Sequence, residues 1–316
     1  MRTVRLGNDE IPAIAIGTWS WGTGINGGNK VFGNSYGFGD LLPVFKSGAE
    51  RGLTLWDTAA VYGMGASETI LGRCIEQFED IIISTKFTPL VMQSKKALIK
   101  SFQKSTERLN RETIDLYWIH NPSNSKKWIT QAANLYKAGK IKHIGVSNHN
   151  LKQVEEATEI LESHGIHLDA VQNHYSLLYR KSEEEGILKW CRENDTRFFA
   201  YMVLEQGALT GNYSESKPFQ GKNRRTKAFP PETLGKIEPL LNTMQVIADN
   251  HNANVSQIAI AWAVGKGTVP LVGATKVYQI ESISGADKII LEQSEMELLE
   301  QAAFKTGVST KAGWER

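Results

Sequence analysis

The chain has 316 residues, of which 41% are hydrophobic and 22% are charged. Lysine and arginine (36) nearly balance aspartate and glutamate (34), which argues against a broad basic surface for nucleic acid and against an acidic tail. A chain of this length could form two domains, but barrels of alternating strands and helices often run this long as one. We therefore expect a single domain over residues 1–316.

The two cysteines, Cys74 and Cys191, lie far apart and form no CxxC motif. This usage argues against a disulfide framework or a zinc site and is typical of a reduced, cytosolic protein. The first residues are polar and lack the apolar stretch of a signal peptide, and no apolar run approaches the roughly 20 residues that cross a bilayer. We expect a cytoplasmic protein that binds no metal, nucleic acid or membrane; the sequence leaves its oligomeric state open.

Short apolar runs alternate along the chain with longer segments of helical period. Each longer segment carries apolar residues three or four positions apart with charges on the other side, as amphipathic helices do. The predicted strands are 11–17, 54–57, 80–86, 114–120, 141–147, 169–173, 197–201 and 268–273. Clear helical segments are 95–110, 150–165 and 182–194, and a helical tail follows residue 292.

Near-continuous apolar strands joined by helices indicate a parallel sheet that helices cover. Eight such units close a barrel, so the sequence predicts an α/β fold, a (β/α)8 TIM barrel with a C-terminal helical tail. A doubly wound open sheet is the alternative. A glycine-rich segment at 22–39 and a polar, basic segment at 208–232 interrupt the regular spacing, and we expect both to be long loops.

The segment from Gly22 to Gly27 satisfies the pattern G-x-G-x-x-G and follows a predicted strand. A dinucleotide-binding motif of this kind needs a helix that opens directly from the loop, so that the pyrophosphate meets the helix N-terminus. The glycines and asparagines that follow disfavour a helix there, and no acidic residue ends a second strand at the expected distance. We interpret the segment as a mobile loop over the site and not as a Rossmann motif.

Polar side chains stand at or just after the carboxyl ends of six predicted strands. In a barrel these ends converge on the face where active sites lie. One such residue carries little information, but six ends with side chains able to donate, accept or transfer protons indicate a site. The residues are Asp57, Lys86, His120, Ser147 with Asn148, Gln172, and Tyr201.

Four residues at this end match the needs of carbonyl reduction by a nicotinamide. Hydride addition leaves negative charge on the carbonyl oxygen, which must be held and protonated. A tyrosine can donate that proton, although its ordinary pKa near 10 is high; a lysine ammonium lowers that pKa, and an aspartate fixes the lysine. A histidine can donate a hydrogen bond to the same oxygen. The residues of these types are Asp57, Tyr62 in the following loop, Lys86 and His120.

Each of the four also has a purely structural explanation. Asp57 could cap a helix and pair with Lys86, a residue type that is seldom buried without a partner. Tyr62 could anchor its loop, and His120 could end its strand. Their joint occurrence at neighbouring strand ends favours the catalytic explanation.

The chain resembles the aldo-keto reductases in runs spread over almost its whole length. The runs are WDTAAVYGMGASETILGR, ISTKF, RLNRETIDLYWIHNP, IKHIGVSNHN, AVQNHYSLLYR and QGALTG. The likeness is strongest to the branch with bacterial and chloroplast oxidoreductases and the potassium-channel β subunits. It implies reduction of an aldehyde or ketone to an alcohol, with the roles given above for the aspartate, tyrosine, lysine and histidine.

The resemblance also implies NADPH or NADP+ as cofactor, bound extended across the barrel mouth. Amide and hydroxyl groups would hold the nicotinamide carboxamide, and an aromatic ring would cover one face of the nicotinamide. The residues at the nicotinamide end are Gly17, Thr18, Trp19, Asp57, Ser147, Asn148 and Gln172, with Tyr201 as the stacking ring. Met202, Leu204 and Gln206 would follow the pyrophosphate, and Gly273, Thr275, Lys276 and Gln279 would face the adenosine end. Of these, Lys276 favours NADPH over NADH because it can pair with the 2′-phosphate.

The chain departs from the family pattern at several cofactor positions. The serine that would meet a cofactor phosphate is Met202, and the common lysine after Leu-Thr-Gly is Asn212. In the adenine-binding stretch, Ser282 and Ile283 replace the usual acid and asparagine. We therefore expect weaker NADP binding than in a typical member, offset in part if the basic loop contributes. The basic residues of that loop are Lys222, Arg224, Arg225 and Lys227.

The substrate pocket is expected to be built from loops. Its predicted residues are Trp21, Tyr62, His120 and Asn121. Several other tryptophans could line this pocket or pack in the core, namely Trp19, Trp56, Trp118 and Trp314. They would suit a small carbonyl substrate with a ring or a sugar-like shape, but they identify no compound.

Two other functions remain open from the sequence. One is a nicotinamide-binding regulatory subunit like the potassium-channel β subunits, which often carry asparagine at the histidine position; His120 favours the enzyme. The other is a sugar or polyol dehydrogenase that runs in the oxidative direction. The same four residues support both directions, so the sequence does not decide between them.

Overall fold

The computed structural model describes residues 1–310. Its strands are β1 (Thr3–Leu6), β2 (Asp9–Pro12), β3 (Ala15–Gly17), β4 (Leu55–Asp57), β5 (Ile82–Phe87), β6 (Ile114–Ile119), β7 (Ile141–Ser147), β8 (Ala170–His174), β9 (Arg197–Tyr201) and β10 (Val269–Gly273). Its α-helices are α1 (Gly28–Val31), α2 (Phe38–Glu50), α3 (Ala66–Cys74), α4 (Ala97–Leu109), α5 (Ser125–Lys137), α6 (Leu151–Glu162), α7 (Lys181–Glu184), α8 (Ile187–Glu193), α9 (Arg224–Ala228), α10 (Pro231–Asn250), α11 (Val255–Gly265), α12 (Val277–Ala286) and α13 (Gln293–Lys305). Two 3-10 turns span Tyr62–Gly65 and Glu205–Thr210.

Strands β3 to β10 form a closed barrel in which each strand is parallel to its neighbours. Strand β10 pairs with both β9 and β3, which closes the ring. The predicted (β/α)8 TIM barrel and the helical tail α13 are confirmed, and the doubly wound open sheet is excluded. Among residues 1–310, no helix is both long and apolar enough to cross a membrane.

The barrel interior is filled by large apolar side chains that alternate strands contribute, as barrels of this type require. Trp118 on β6 meets Phe199 on β9 edge to face, with ring centroids 5.1 Å apart. Gly145 on the neighbouring β7 provides the space for this ring, since a Cβ there would come within 2.3 Å of the Trp118 ring. Trp118 is thus a core residue and not part of a pocket.

The surrounding helices bury one face each against the barrel. In α4 the buried residues Leu98, Phe102, Ser105 and Leu109 recur every three or four positions, and Asn110 ends the helix in the left-handed region at φ 52°. Helix α6 begins at Asn150, whose side chain accepts a hydrogen bond from the Gln153 amide while Gln153 reaches back to the Asn150 amide.

The start of the chain differs from the prediction. The predicted strand 11–17 is two strands, of which β2 pairs with β1 in an antiparallel hairpin and β3 enters the barrel. Gly7, at φ 55°, makes the tight turn of this hairpin. Leu6 and Ile11 pack on the barrel interior, so the hairpin covers its amino-terminal end. The four-residue β1 was missed because it is short and largely exposed.

Three other predictions needed correction. The segment 208–232, expected to be a long loop, contains the short helix α9 and the first residues of α10. The segment 182–194 is divided into α7 and α8 at Gly186, which lies at φ 83°. The glycine-rich segment contains the one-turn helix α1 directly after Gly27, where no helix was expected. Gly28 is required there by close packing, because a Cβ would lie 2.3 Å from the Ser20 carbonyl oxygen. Gly27 is packed as closely, since a Cβ there would lie 2.9 Å from the Thr23 backbone, and the segment follows a strand of a closed barrel and belongs to no Rossmann unit.

Candidate active site

The carboxyl ends of neighbouring strands bring the predicted catalytic residues together. Asp57 ends β4, Lys86 lies next to last on β5 and His120 directly follows β6. Tyr62 begins the 3-10 turn after β4, and this turn folds back over the strand ends. The turn needs φ values of 58° and 55° at Gly63 and Met64, a backbone region that few residues other than glycine adopt.

Asp57 and Lys86 form a buried ion pair. The Lys86 ammonium donates to the Asp57 carboxylate and, at 2.8 Å, to the carbonyl oxygen of Thr58. The same carboxylate also accepts from the Ser84 hydroxyl and, at 3.3 Å, from the Gln172 amide. Burial lowers the pKa of Lys86, and the charge of Asp57 opposes that shift. These hydrogen bonds hold the Lys86 ammonium in place, because a buried charge is tolerated only when it is paired and hydrogen-bonded.

Tyr62 lies against this ion pair, with the Lys86 nitrogen 5.2 Å from its ring centroid. Burial raises the pKa of Tyr62 well above its ordinary value, and the Asp57 carboxylate raises it further. Burial outweighs any lowering of this pKa by the Lys86 charge, and that lowering stays a prediction. The consequence is a phenol that keeps its proton throughout the neutral range, as a proton donor must.

His120 completes the group as a neutral ring. Its ring lies edge to face with Tyr62, with centroids 6.1 Å apart. Burial and the nearby charge of Lys86 lower the pKa of His120 to about 3. Its Nδ1 lies 2.9 Å from the Thr88 hydroxyl. If that hydroxyl donates to Nδ1, the ring proton is on Nε2, where it can serve as a hydrogen-bond donor.

Thr88 was missed by the sequence analysis although the signal was present. It stands two positions after Lys86, past the end of β5, and lines the same cavity as His120. Like the other predicted site residues, Thr88 is a polar residue just after a barrel strand, but β5 already carries Lys86 at its end.

The predicted carboxamide-binding residues form a network of their own. The Tyr201 hydroxyl donates to Asn148 Oδ1 at 2.6 Å, and Asn148 Nδ2 donates to the His120 carbonyl oxygen at 2.9 Å. Asn148 also adopts φ 61°, which asparagine tolerates better than most residues. These bonds fix the Tyr201 ring and the His120 backbone relative to each other.

All of these strand ends open into one cavity of about 760 Å³. Its wall includes every predicted cofactor residue, from Gly17, Thr18, Trp19, Asp57, Ser147, Asn148, Gln172 and Tyr201 to Met202, Leu204, Gln206, Gly273, Thr275, Lys276 and Gln279. Tyr62, His120 and Asn121 of the predicted substrate pocket lie there as well. Lys86 does not line the cavity: it is fully buried next to the Tyr62 ring.

The prediction of Trp21 as a pocket residue is wrong. Its side chain is fully buried, packs against Trp56 at 5.4 Å and donates from Nε1 to the Ala274 carbonyl oxygen at 2.8 Å. Trp56 is likewise core, whereas Trp19 lines the cavity 6.0 Å from Tyr62. Trp314 lies outside the described residues. Neighbouring tryptophans of one loop thus face opposite ways.

The adenosine end of the cavity is built on the start of α12. Gln279 Oε1 accepts from the amides of Thr275 at 2.8 Å and Lys276 at 3.1 Å, which orders the turn. The Lys276 ammonium lies 4.3 Å from the centroid of the Tyr36 ring and is exposed. Ile283 is buried and Ser282 bonds to Asn254, which directly precedes α11, so neither offers a group to the cavity.

The wall also leaves polar atoms without partners, which argues for a polar ligand. The Oδ1 atom of Asn34, the Oε1 atom of Gln206 and the Nε atom of Arg225 are buried yet have no hydrogen-bond partner among the described residues. Buried polar groups are almost always paired in proteins, so unpaired ones on a cavity wall fit a ligand with many acceptors and donors. A phosphorylated dinucleotide has that chemistry. No group of three or more His, Cys, Asp or Glu within residues 1–310 could hold a metal ion.

Arg225 and Arg224 of the basic loop reach this wall through α9. The Arg225 guanidinium lies 4.4 Å from the Phe219 ring centroid and donates to the Phe32 carbonyl oxygen at 3.4 Å. Arg224 lies 5.9 Å from the Trp19 ring centroid. Both arginines line the same cavity as Met202 and Asn212, and the Arg225 guanidinium lies 5.7 Å from the ring centroid of Tyr213, the neighbour of Asn212.

Comparison with known proteins identifies the family of the chain. The sequence profile of the aldo/keto reductase family matches residues 13–303. An uncharacterised oxidoreductase of Mycobacterium tuberculosis is 31% identical over 312 residues, covering 96% of this chain and 93% of its own. An NADP(+) aldo-keto reductase of Schizosaccharomyces pombe is 29% identical over 321 residues, covering 95% and 91%. The crystal structure of a thermostable aldo-keto reductase with the inhibitor epalrestat superposes with a TM-score of 0.75 at 27% identity, covering 96% of this chain and all of the other. The chain therefore belongs to the aldo-keto reductase family.

Proposed function

We propose that the protein reduces a small aldehyde or ketone to the alcohol, with NADPH as hydride donor and Tyr62 as proton donor. The observation that carries the proposal is the buried pair of Asp57 and Lys86 behind Tyr62, beside a neutral His120, at the floor of a cavity lined by the predicted cofactor residues. A relative from fission yeast is named for NADP(+), which supports the choice of cofactor.

The four residues divide the work of the reaction. The bound nicotinamide supplies the hydride to the carbonyl carbon. The Tyr62 hydroxyl, which its raised pKa keeps protonated, donates a hydrogen bond to the carbonyl oxygen. It gives up its proton as hydride addition puts negative charge on that oxygen and makes it a strong base. Lys86, held by Asp57, offers a positive charge to the tyrosinate that remains. His120 donates from Nε2 to the same oxygen as negative charge grows there.

The cofactor contacts are proposed from the positions on the cavity wall. Ser147, Asn148 and Gln172 would bind the carboxamide, and Tyr201 would cover one face of the ring so that hydride leaves from the other. Lys276 would pair with the 2′-phosphate, since its ammonium is exposed at the adenosine end. Arg225, with its unpaired Nε, is placed to compensate for Met202 and Asn212 at the cofactor phosphates.

The two thiols support a proposal on location. Cys74 and Cys191 are both buried and free, and burial raises the pKa of each to about 12. Free, unreactive thiols suit a reducing compartment, so we propose a cytoplasmic enzyme.

The direct test is NADPH oxidation with a panel of aldehydes and ketones, run beside NADP+ reduction with sugars and polyols. Turnover in the first assay supports the proposal, and turnover only in the second would assign the oxidative direction. Silence in both, with NADPH still bound, would contradict an enzyme and support the regulatory-subunit alternative.

Cofactor choice is tested by Lys276→Ala. Loss of a charged hydrogen bond to the 2′-phosphate should weaken NADPH binding about tenfold and leave NADH binding nearly unchanged. Titration of intrinsic fluorescence with each cofactor measures both constants. Lys288→Ala, at the far end of α12 and outside the cavity wall, is the matched control. Equal losses for the two cofactors in K276A would count against 2′-phosphate recognition.

A further inference from the structure

Glu205 is a fully buried carboxylate that the proposed reaction does not use. It begins the 3-10 turn after β9, between the cavity-lining residues Leu204 and Gln206. Glu205 and Gln206 have φ values of 46° and 56°, in the left-handed region that residues other than glycine seldom adopt. A strained backbone with a buried charge persists only where the surroundings stabilise it.

The carboxylate joins three separate segments of the chain. Its Oε1 atom accepts from the Ser176 hydroxyl in the loop after β8, and from the Thr310 hydroxyl at 2.8 Å. It also lies 2.8 Å from Nε2 of His174, which ends β8. A carboxylate only accepts hydrogen bonds, so this contact places a proton on Nε2 and fixes the orientation of the imidazole.

The fixed imidazole in turn packs against the cofactor-stacking residue. The His174 ring lies between the rings of Tyr179 and Tyr201, with centroids 4.2 Å and 5.6 Å away and interplanar angles of 15° and 19°. His174 is buried, whereas Tyr201 lines the cavity. The histidine thus supports the Tyr201 ring from within the protein.

We infer that Glu205 is a positioning residue for the cofactor: through His174 it holds the Tyr201 ring in the plane that receives the nicotinamide, and it anchors the C-terminal segment at Thr310 to the same point. The inference rests on the proposed function, in which Tyr201 stacks on the nicotinamide. A ring held before binding loses less conformational freedom when the ligand arrives, and so binds it more tightly.

Glu205→Gln is the principal test. Glutamine keeps the size of the side chain but removes the charge and brings an amide donor opposite the Ser176, Thr310 and His174 donors. The Kd for NADPH, measured by fluorescence titration without substrate, should rise about tenfold. With an active carbonyl, stereospecifically deuterated NADPH should show a larger isotope effect on kcat, because a misplaced nicotinamide slows hydride transfer.

Two further changes separate the parts of the network. His174→Phe keeps an aromatic ring between the tyrosines but cannot bond to Glu205, and should raise the Kd about threefold. Thr310→Val should also raise it, whereas Thr310→Ser, which keeps the hydroxyl, should restore the parent value. These variants decide the question by themselves if the Glu205→Gln protein does not fold.

Glu300→Gln is the control for loss of a partly buried carboxylate that is held by several partners. Glu300 bonds Lys266 and Arg180 between outer helices, away from the cavity, so its replacement should lower Tm and leave the Kd for NADPH unchanged. If the parent binds NADPH and E205Q binds it equally well, this inference is wrong and the proposed function stands. If the parent itself does not bind NADPH, the proposed function is wrong, and this inference, which rests on it, is wrong as well.

Discussion

Two histidines on adjacent strands meet opposite electrostatic environments at the two ends of one barrel. His120, after β6, lies at the carboxyl end, where burial and Lys86 lower its pKa to about 3. His143, on β7, lies at the amino end, with Nε2 3.0 Å from Asp9 and Nδ1 3.2 Å from Asp169. Burial lowers the pKa of His143, but the hydrogen bonds and charges of Asp169 and Asp9 outweigh burial and raise it.

The difference shows how the two ends are used. At the amino end each ring nitrogen has a carboxylate partner, and the contact to Asp9 attaches the β1–β2 hairpin to the barrel, which is a contribution to stability. At the carboxyl end Nδ1 is the only ring nitrogen with a hydrogen-bond partner within residues 1–310, and the ring stays neutral, so Nε2 would be available to a substrate oxygen in the proposed reaction. We therefore expect changes at His120 to alter turnover and changes at His143 to alter stability.

Among the changes that test this comparison, the largest effect is expected for His120→Gln. Loss of a preorganised donor to the carbonyl oxygen should lower kcat on the order of 100-fold, with NADPH binding retained. Steady-state kinetics with an active carbonyl and a fluorescence titration measure the two quantities. A variant that keeps its kcat but loses NADPH would show that His120 serves the cofactor and not the oxygen.

His143→Gln should affect stability instead. Removing a cation from between two carboxylates should lower the free energy of unfolding by about 2 kcal/mol at pH 6, with kcat close to that of the parent. Urea unfolding monitored by circular dichroism measures the change. Comparable losses of kcat in H143Q and H120Q would remove the distinction between the two ends.

The pH dependence of stability should have opposite signs at the two sites. The raised pKa of His143 gives stability that is present below the unfolded pKa of about 6.5 and lost as pH rises through the folded value. The lowered pKa of His120 gives stability that is present above about pH 6.5 and lost as pH falls toward the folded value. Relative to the parent, H143Q should therefore be least stable in acid, and H120Q should gain on the parent as pH falls from about 6.5. Parallel curves for the two variants would contradict the assigned charge states.

The smallest effect is expected for Thr88→Val. Without the Thr88 hydroxyl, the His120 ring loses its only side-chain hydrogen bond within residues 1–310. We expect kcat to fall about fivefold with NADPH binding unchanged. Thr88→Ser should restore the rate. Nitrogen-15 shifts of the His120 ring should move for valine and not for serine; unchanged shifts in both would mean that Thr88 does not set the tautomer.

The sequence predicted the barrel because its strands are apolar throughout and its helices are amphipathic, both of which are local patterns. It also predicted Asp57, Tyr62, Lys86 and His120, since adjacent strand ends must converge. It could not predict that Trp21 faces the core while Trp19 faces the cavity, because one loop carries both and packing decides their directions. Nor could it give the direction of the pKa shift of Tyr62, which depends on burial and on the nearby charge of Asp57. The pairing of His174 with Glu205 joins distant segments and has no local signal.

The most direct test of the proposed reaction is Tyr62→Phe, which removes one hydroxyl and keeps the ring. We predict that NADPH binds with the parent Kd while reduction of an active carbonyl falls by about 1,000-fold, since the proton donor is gone. Single-turnover oxidation of bound NADPH, followed by absorbance, measures this without interference from product release. Turnover above a tenth of the parent rate, with the cofactor bound, would contradict the role of Tyr62 and with it the account of the site.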